Sequence, residues 1–162
     1  MRKALTIFSF FLVSMLSVIP LSFADEISVT ASVSPYFTVT FNYNSVDFGT
    51  VTGGQTVNTT ELGLNLNVTV DTNTDFSVYA KATDWSGTQA YTLGEFPIYF
   101  DTATNTENLG LGAISLTTTD QLIDSYSYNE GGTHYHYYEI SVPTNIQAGS
   151  YSNTVTVTYQ TG

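Results

Sequence analysis

The segment Leu-Gly-Leu-Asn-Leu-Asn-Val-Thr-Val, residues 62–70, alternates without a fault, setting Leu62, Leu64, Leu66, Val68 and Val70 on one face and Asn65, Asn67 and Thr69 on the other. Period-two alternation of this kind predicts a half-buried antiparallel strand. Asp-Thr-Asn-Thr at 71–74 is a turn signal, and residues 75–83 alternate again with Phe76, Val78, Ala80 and Ala82 in phase, so the two runs predict a hairpin. Near the start of the chain, every odd position from Ile27 to Phe41 is apolar except Pro35. Residues 96–100 and 111–119 predict shorter strands separated by a polar loop at 101–110. Residues 133–142 predict a long strand, and residues 151–159 predict a closing one with Tyr151, Val155, Val157 and Tyr159 on one face. No stretch has helical period. About eight strands divided by turn residues predict an all-β fold, a jelly-roll or Greek-key-like β-sandwich.

The first 24 residues carry a different signal. A basic start, Arg2-Lys3, precedes an apolar run, Pro20, and small residues Ser22 and Ala24 at the positions of an export cleavage site, so residues 1–24 are expected to be a secretory signal peptide. A retained anchor and a pilin-type leader cut near Lys3 are the competing readings; about 16 apolar residues fall short of the roughly 20 that a spanning helix needs. Removal leaves residues 25–34 as an N-terminal strand and 35–162 as one sandwich domain.

Charge and cysteine content narrow the function classes. With Arg2 and Lys3 gone, Lys81 is the one cationic residue against 14 carboxylates, a formal charge of −13. Nucleic acid is excluded as a partner, since phosphate recognition needs clustered Lys and Arg, and so is an anionic membrane surface. The mature form is expected to have no membrane partner. The chain has no cysteine, so an exported protein must draw its durability from packing, ladders or assembly.

Candidate chemistry is sparse. His134 and His136 stand two apart on one strand and share a face, a spacing that can chelate Zn, Ni or Cu, with Glu130 as a carboxylate from the adjacent turn. Alternatively, they share the phase of Ile140 and Val142 and cap one end of the core. Tyr135, Tyr137 and Tyr138 offer broad amphipathic area for contact between filaments. Residues 71–75 present closely spaced oxygens but lack the glycine and distal glutamate of a calcium loop, so a turn is expected there. Asn58 and Asn67 head N-glycosylation sequons. Scattered acids, the absent G-x-S-x-G elbow and the absent cysteine lead to the expectation that the chain is not an enzyme and takes no cofactor.

Residues 46–57, the strand that follows them and the ending 142–160 resemble the β-sandwich subunits of extracellular filaments. The closing G-x-Y-x-N-T-V-T-V-T pattern, from Gly149 to Thr158, is similar to the last strand of spore-coat-U-type fimbrial domains. The plan of leader, free strand and cysteine-free sandwich resembles TasA-type biofilm fibre proteins and the archaeal threads and bundling pili. That resemblance implies donor-strand complementation: a neighbour's N-terminal strand fills a groove in each subunit. Ile27, Val29, Ala31 and Val33 would be the donor's plugs and Pro35 the joint between donor and domain. It further implies a secreted homopolymer serving adhesion, cell-cell contact and biofilm formation. A monomeric envelope module that binds carbohydrate or metal, with residues 25–34 folded into their own sandwich, remains the alternative.

Overall fold

A computed structural model describes residues 30–162. The chain divides into two units, Met1–Val33 and Ser34–Gly162. The expected leader and the donor positions Ile27 and Val29 lie outside the described residues.

Alternation produces the strands. β1 (Phe37–Phe41), β2 (Thr56–Asn58), β3 (Asn67–Thr72) and β4 (Phe76–Ala82) are followed by the two-residue β5 (Ser86–Gly87) and by β6 (Ile98–Ala103). Then come β7 (Ile114–Ser115), β8 (Gln121–Tyr126), a single 3-10 turn at Tyr128–Glu130, and β9 (Gly132–Ser141). β10 (Tyr151–Ser152) and β11 (Val155–Thr161) complete the order. One sheet runs β1-β3-β9-β6-β7, with β2 also on β9 beyond the end of β3; the second runs β11-β4-β8; β5 and β10 form a separate ribbon. Every pairing is antiparallel.

The two larger sheets bury their facing rows against each other, which is the β-sandwich the alternation predicts. Val68 and Val70 of β3, Phe100 of β6, and Phe76, Val78 and Ala80 of β4 are all essentially inaccessible to solvent. At one end of the core Trp85 stacks on Phe96 at 4.1 Å between centroids and donates its indole N–H to the Phe96 carbonyl at 2.7 Å. The polar atom of the largest side chain is thereby satisfied inside the apolar layer.

Three expectations change. The runs at 62–70 and 75–83 do not form a hairpin, because β3 pairs with β1 and β9 while β4 pairs with β11 and β8. β3 runs on through Asp71 and Thr72, and residues 73–75 carry the chain from one sheet to the other, so the two apolar faces meet across the core rather than edge to edge. Leu62 and Leu64 are not strand residues: the Glu61 N–H donates to the Asn58 side chain at 2.9 Å, the Leu64 N–H donates to the Thr59 carbonyl at 3.0 Å, and Gly63 takes a left-handed φ of 68°. That tight turn leaves both leucines partly exposed. Tyr151 is not continuous with the last strand, because the chain breaks at Asn153, whose side-chain amide donates to the Thr83 carbonyl.

β8 escapes the alternation pattern because of an irregularity. Its register against β4 shifts between Val78 and Tyr79, so half-buried Ile123 and buried Tyr126 stand three apart instead of two or four and the strand lacks a clean period.

Phe100→Ala is expected to cost about 3–5 kcal/mol in urea unfolding, whereas Leu122→Ala, at a side chain 54% exposed, is expected to change stability by less than about 0.5 kcal/mol. Equal costs for the two would show that the core is not where the sandwich places it.

Candidate functional site: an open seam along one side of the sandwich

β1 pairs only with β3, and β11 only with β4, among the described residues. Each therefore presents a row of unpaired backbone N–H and C=O groups, the condition under which a sheet accepts another strand. The two edges lie on the same side of the sandwich, where the Phe41 ring of β1 meets the Tyr159 ring of β11 edge-on at 6.0 Å. The inward rows here are only half covered: Val155, Val157 and Tyr159 of β11 and Phe37 and Val39 of β1 pack on the core but keep solvent exposure. By contrast, the inward row of the central strand β4 is fully buried.

Beyond β1 the chain continues as residues 43–51 without joining a sheet, and its Val46, Phe48 and Val51 also lie half-buried on the core. Between this segment and residues 146–155 runs a groove of about 710 Å³, floored by Phe96, Ile98, Ile140 and Val142. One side of the sandwich is thus an apolar seam with a polar backbone edge, the two features a strand ligand requires.

His136, from β9, ties the seam's two lips together. One ring nitrogen, Nδ1, is hydrogen-bonded to the Tyr43 hydroxyl of the 43–51 lip, and the other, Nε2, to the Tyr159 hydroxyl of β11 at 2.7 Å. Tyr43 in turn shares a hydrogen bond with the Tyr138 hydroxyl at 2.8 Å. The imidazole is 1% exposed, and burial, with a smaller contribution from His134, pulls its pKa down to about 3. It is therefore neutral at physiological pH, donating through one nitrogen and accepting through the other. Burial likewise raises the pKa of Tyr43, Tyr138 and Tyr159, which remain hydroxyls.

The pair His134 and His136 is consequently turned away from solvent, 0% and 1% exposed. Both point into the core; His134 Nε2 donates to the Glu130 carbonyl at 2.9 Å, and the Glu130 carboxylate accepts the Ser127 N–H at 2.7 Å. Among the described residues no cluster of three or more His, Cys, Asp or Glu is arranged for a metal ion. Both rings lie among core aromatics, His134 against Phe76 and His136 against Phe100.

The surface expectation for the tyrosines is corrected in the same way. Tyr138 faces inward and Tyr137, though on the outer face, is 7% exposed, because the loop after β6 folds over its ring. Asp101 holds that loop in place: its buried carboxylate accepts the Gly110 N–H at 2.8 Å and the Gly112 N–H at 3.4 Å. A Cβ on Gly110 would come within 2.9 Å of the Tyr137 ring. Tyr135 alone of the three keeps appreciable exposure. Asn67 lies on the outer face of β3 beside exposed Thr69, and Asn58 is half-buried with its side-chain oxygen engaged by the Glu61 N–H.

Sequence reasoning missed the residue that holds the joint. Pro35 stands two residues before β1, and Asn73 grips the chain on both sides of it. The Asn73 side-chain amide donates to the Ser34 carbonyl at 3.0 Å, its side-chain oxygen accepts the Tyr36 N–H at 2.8 Å, and its backbone N–H donates to the Tyr36 carbonyl at 3.3 Å. Thr72 adds a hydroxyl hydrogen bond to the same Tyr36 carbonyl at 3.3 Å. Thr72 and Asn73, at the end of β3 and in the turn that follows it, therefore form the clamp. Ala31 and Val33 belong to no strand, and Val33 is 80% exposed.

No protein-family model and no curated protein matches the chain. Among solved structures it is similar to a family 123 glycoside hydrolase from Clostridium perfringens, with 12% identity and a TM-score of 0.38 over 67% of this chain. The chain spans 19% of that protein's length. The similarity to a hydrolase removes the expectation that this chain is not an enzyme, and that expectation is withdrawn. At this TM-score the likeness carries no argument for hydrolysis either.

The burial of His136 has a pH signature. An exposed histidine takes its proton near pH ~6.5, whereas His136 in the fold does so near about 3. Between those values the unfolded chain binds the extra proton, so stability is full above the unfolded pKa and falls as the pH drops toward 3, by a few kcal/mol in total. The lowered pKa of His134 acts in the same direction. Thermal midpoints measured from pH 7 to pH 4 are expected to fall more steeply for the native chain than for His136→Gln; parallel slopes would remove His136 as the source.

Proposed function

We propose that this protein is the structural subunit of an extracellular filament, a thread or bundling pilus, polymerised by donor-strand complementation and serving adhesion, cell-cell contact and biofilm formation. The observation that carries this reading is the seam: two unpaired strand edges on one side of a sandwich, with a half-covered apolar row on each lip.

The donor would be residues 25–34 of a neighbouring copy. Ten residues extend about 33 Å at roughly 3.3 Å per residue, longer than the seven-residue β11 that would receive them. Ile27, Val29, Ala31 and Val33 would enter the seam as plugs, and burying an Ile or Val side chain contributes about 1.5–3 kcal/mol before ordering costs. Backbone pairing along the β11 edge adds directional hydrogen bonds. Pro35 has no N–H to offer a ladder, and the Asn73 clamp behind it sets where the domain's own ladder begins. A donor that leaves one subunit and enters the next makes a heterologous contact, which propagates a line rather than closing a ring.

The alternative, a monomeric envelope module, differs in one respect: its own residues 25–34 would occupy its own seam. Removing residues 25–34 is expected to give soluble, non-polymerising subunits, and adding a synthetic peptide of that segment in excess is expected to raise their thermal midpoint, since a ligand of the folded state stabilises it by mass action. A Val29→Asp peptide should give no rise. Filaments that persist without the segment would refute strand donation, and a native chain that sediments as a monomer would favour the envelope module.

A further inference from the structure

We propose that the outer face of the β4-β8 pair is the surface through which filaments bundle, meeting the same face of a second copy about a two-fold axis. This inference rests on the filament reading above.

Charge singles out this face. Lateral contact between chains that, without the expected leader, carry one lysine against 14 carboxylates is opposed wherever carboxylates meet. The outward positions of the main sheet include Asp71, Asp101 and Glu139, with no cation among them. The outward row of β4 is Ser77, Tyr79 and Lys81, and opposite it stand Ser125 and Leu122 of β8, with Asp120 immediately before that strand. Lys81 and Asp120 pair at 3.1 Å, so this face has no net charge. Asp124 pairs instead with inward-facing Val78 at the bulge.

The face is also self-complementary. Across the β4-β8 boundary the outward residues stand in matched couples: Ser77 with Ser125, hydroxyls 2.9 Å apart, Tyr79 with Leu122, and Lys81 with Asp120. A two-fold axis lying in the interface and running between the two strands would place each member of a couple over the other member in the second copy. Tyr79 would then cover the exposed Leu122 of its neighbour, and Lys81 of each copy would face the other's Asp120 in two ion pairs side by side at one end of the contact. That is the requirement for an isologous interface.

The size of the face sets its role. Seven residues of β4 at about 3.3 Å each, over two strand spacings of about 4.8 Å, cover roughly 220 Å² per copy. Stable pairs bury a total of about 1,200–2,000 Å². A single contact is weak, and repetition along two filaments supplies the avidity.

Opposite charge reversals test the pairing. Native filaments are expected to bundle at pH 7 and low salt. Lys81→Glu sets carboxylate against carboxylate in both ion pairs and Asp120→Lys sets cation against cation, so each alone is expected to give unbundled filaments, with the low-speed pellet reduced roughly tenfold, as a change of about 1.4 kcal/mol implies. An equal mixture of the two preparations makes complementary faces and should restore the pellet. The pair within one chain cannot account for rescue on mixing, because each variant lacks it. Unchanged bundling in both variants, no rescue on mixing, or native filaments that stay single would overturn the proposal while leaving strand donation intact. A chain that forms no filaments overturns strand donation instead, and the same mixtures, read as dimer fraction by sedimentation velocity at high concentration, still decide the face.

Discussion

The seam between β1 and β11 is the constraint on which the rest of the structure depends. A sandwich buries its apolar rows only if each edge strand is covered, and here the two edges on one side are left with Phe37, Val39, Val155, Val157 and Tyr159 half in water. The fold compensates locally. His136 reaches from β9 to a tyrosine on each lip, so the polar atoms lining the gap satisfy one another instead of facing an apolar layer unpaired. A neutral imidazole is what that geometry can hold, and burial keeps it neutral.

The same constraint organises the N-terminal approach. Asn73 lies in the turn that carries the chain from one sheet to the other, and it hydrogen-bonds to the backbone on both sides of Pro35. The inter-sheet turn therefore also fixes the point at which β1 starts. On the proposed reading, the rigidity of a filament would depend on this clamp, since the chain passes from one subunit's core to the next across it.

Durability and charge are linked in the same way. A chain without cysteine, bearing a large negative charge, has neither covalent staples nor attractive surface charge to draw on. On the proposed reading, strand donation would supply cohesion along the filament through apolar burial and backbone pairing, neither of which the charge opposes strongly. Sideways contact must find a face where the charges cancel, and the Lys81–Asp120 couple marks one.

Local periodicity by itself determined which side chains turn inward. The phases of Val68 and Val70, of Phe76 to Ala82, and of His134 to Val142 all follow from alternation, because side-chain direction in a strand is a property of consecutive residues. The proline break before β1 and the turn that follows β3 were equally legible. Which strand lies beside which was not, because pairing is non-local: alternation names a face and leaves the neighbour open, so an inter-sheet arch read as a hairpin. The exposure of Leu62 and Leu64 was decided by the Asn58 and Gly63 turn, the burial of Tyr137 by a loop that Asp101 holds from a different strand, and the shift in β8 by a bulge. The seam itself exists only as a relation between β1 and β11, more than a hundred residues apart in the chain, and only the tertiary structure brings those two edges to one side.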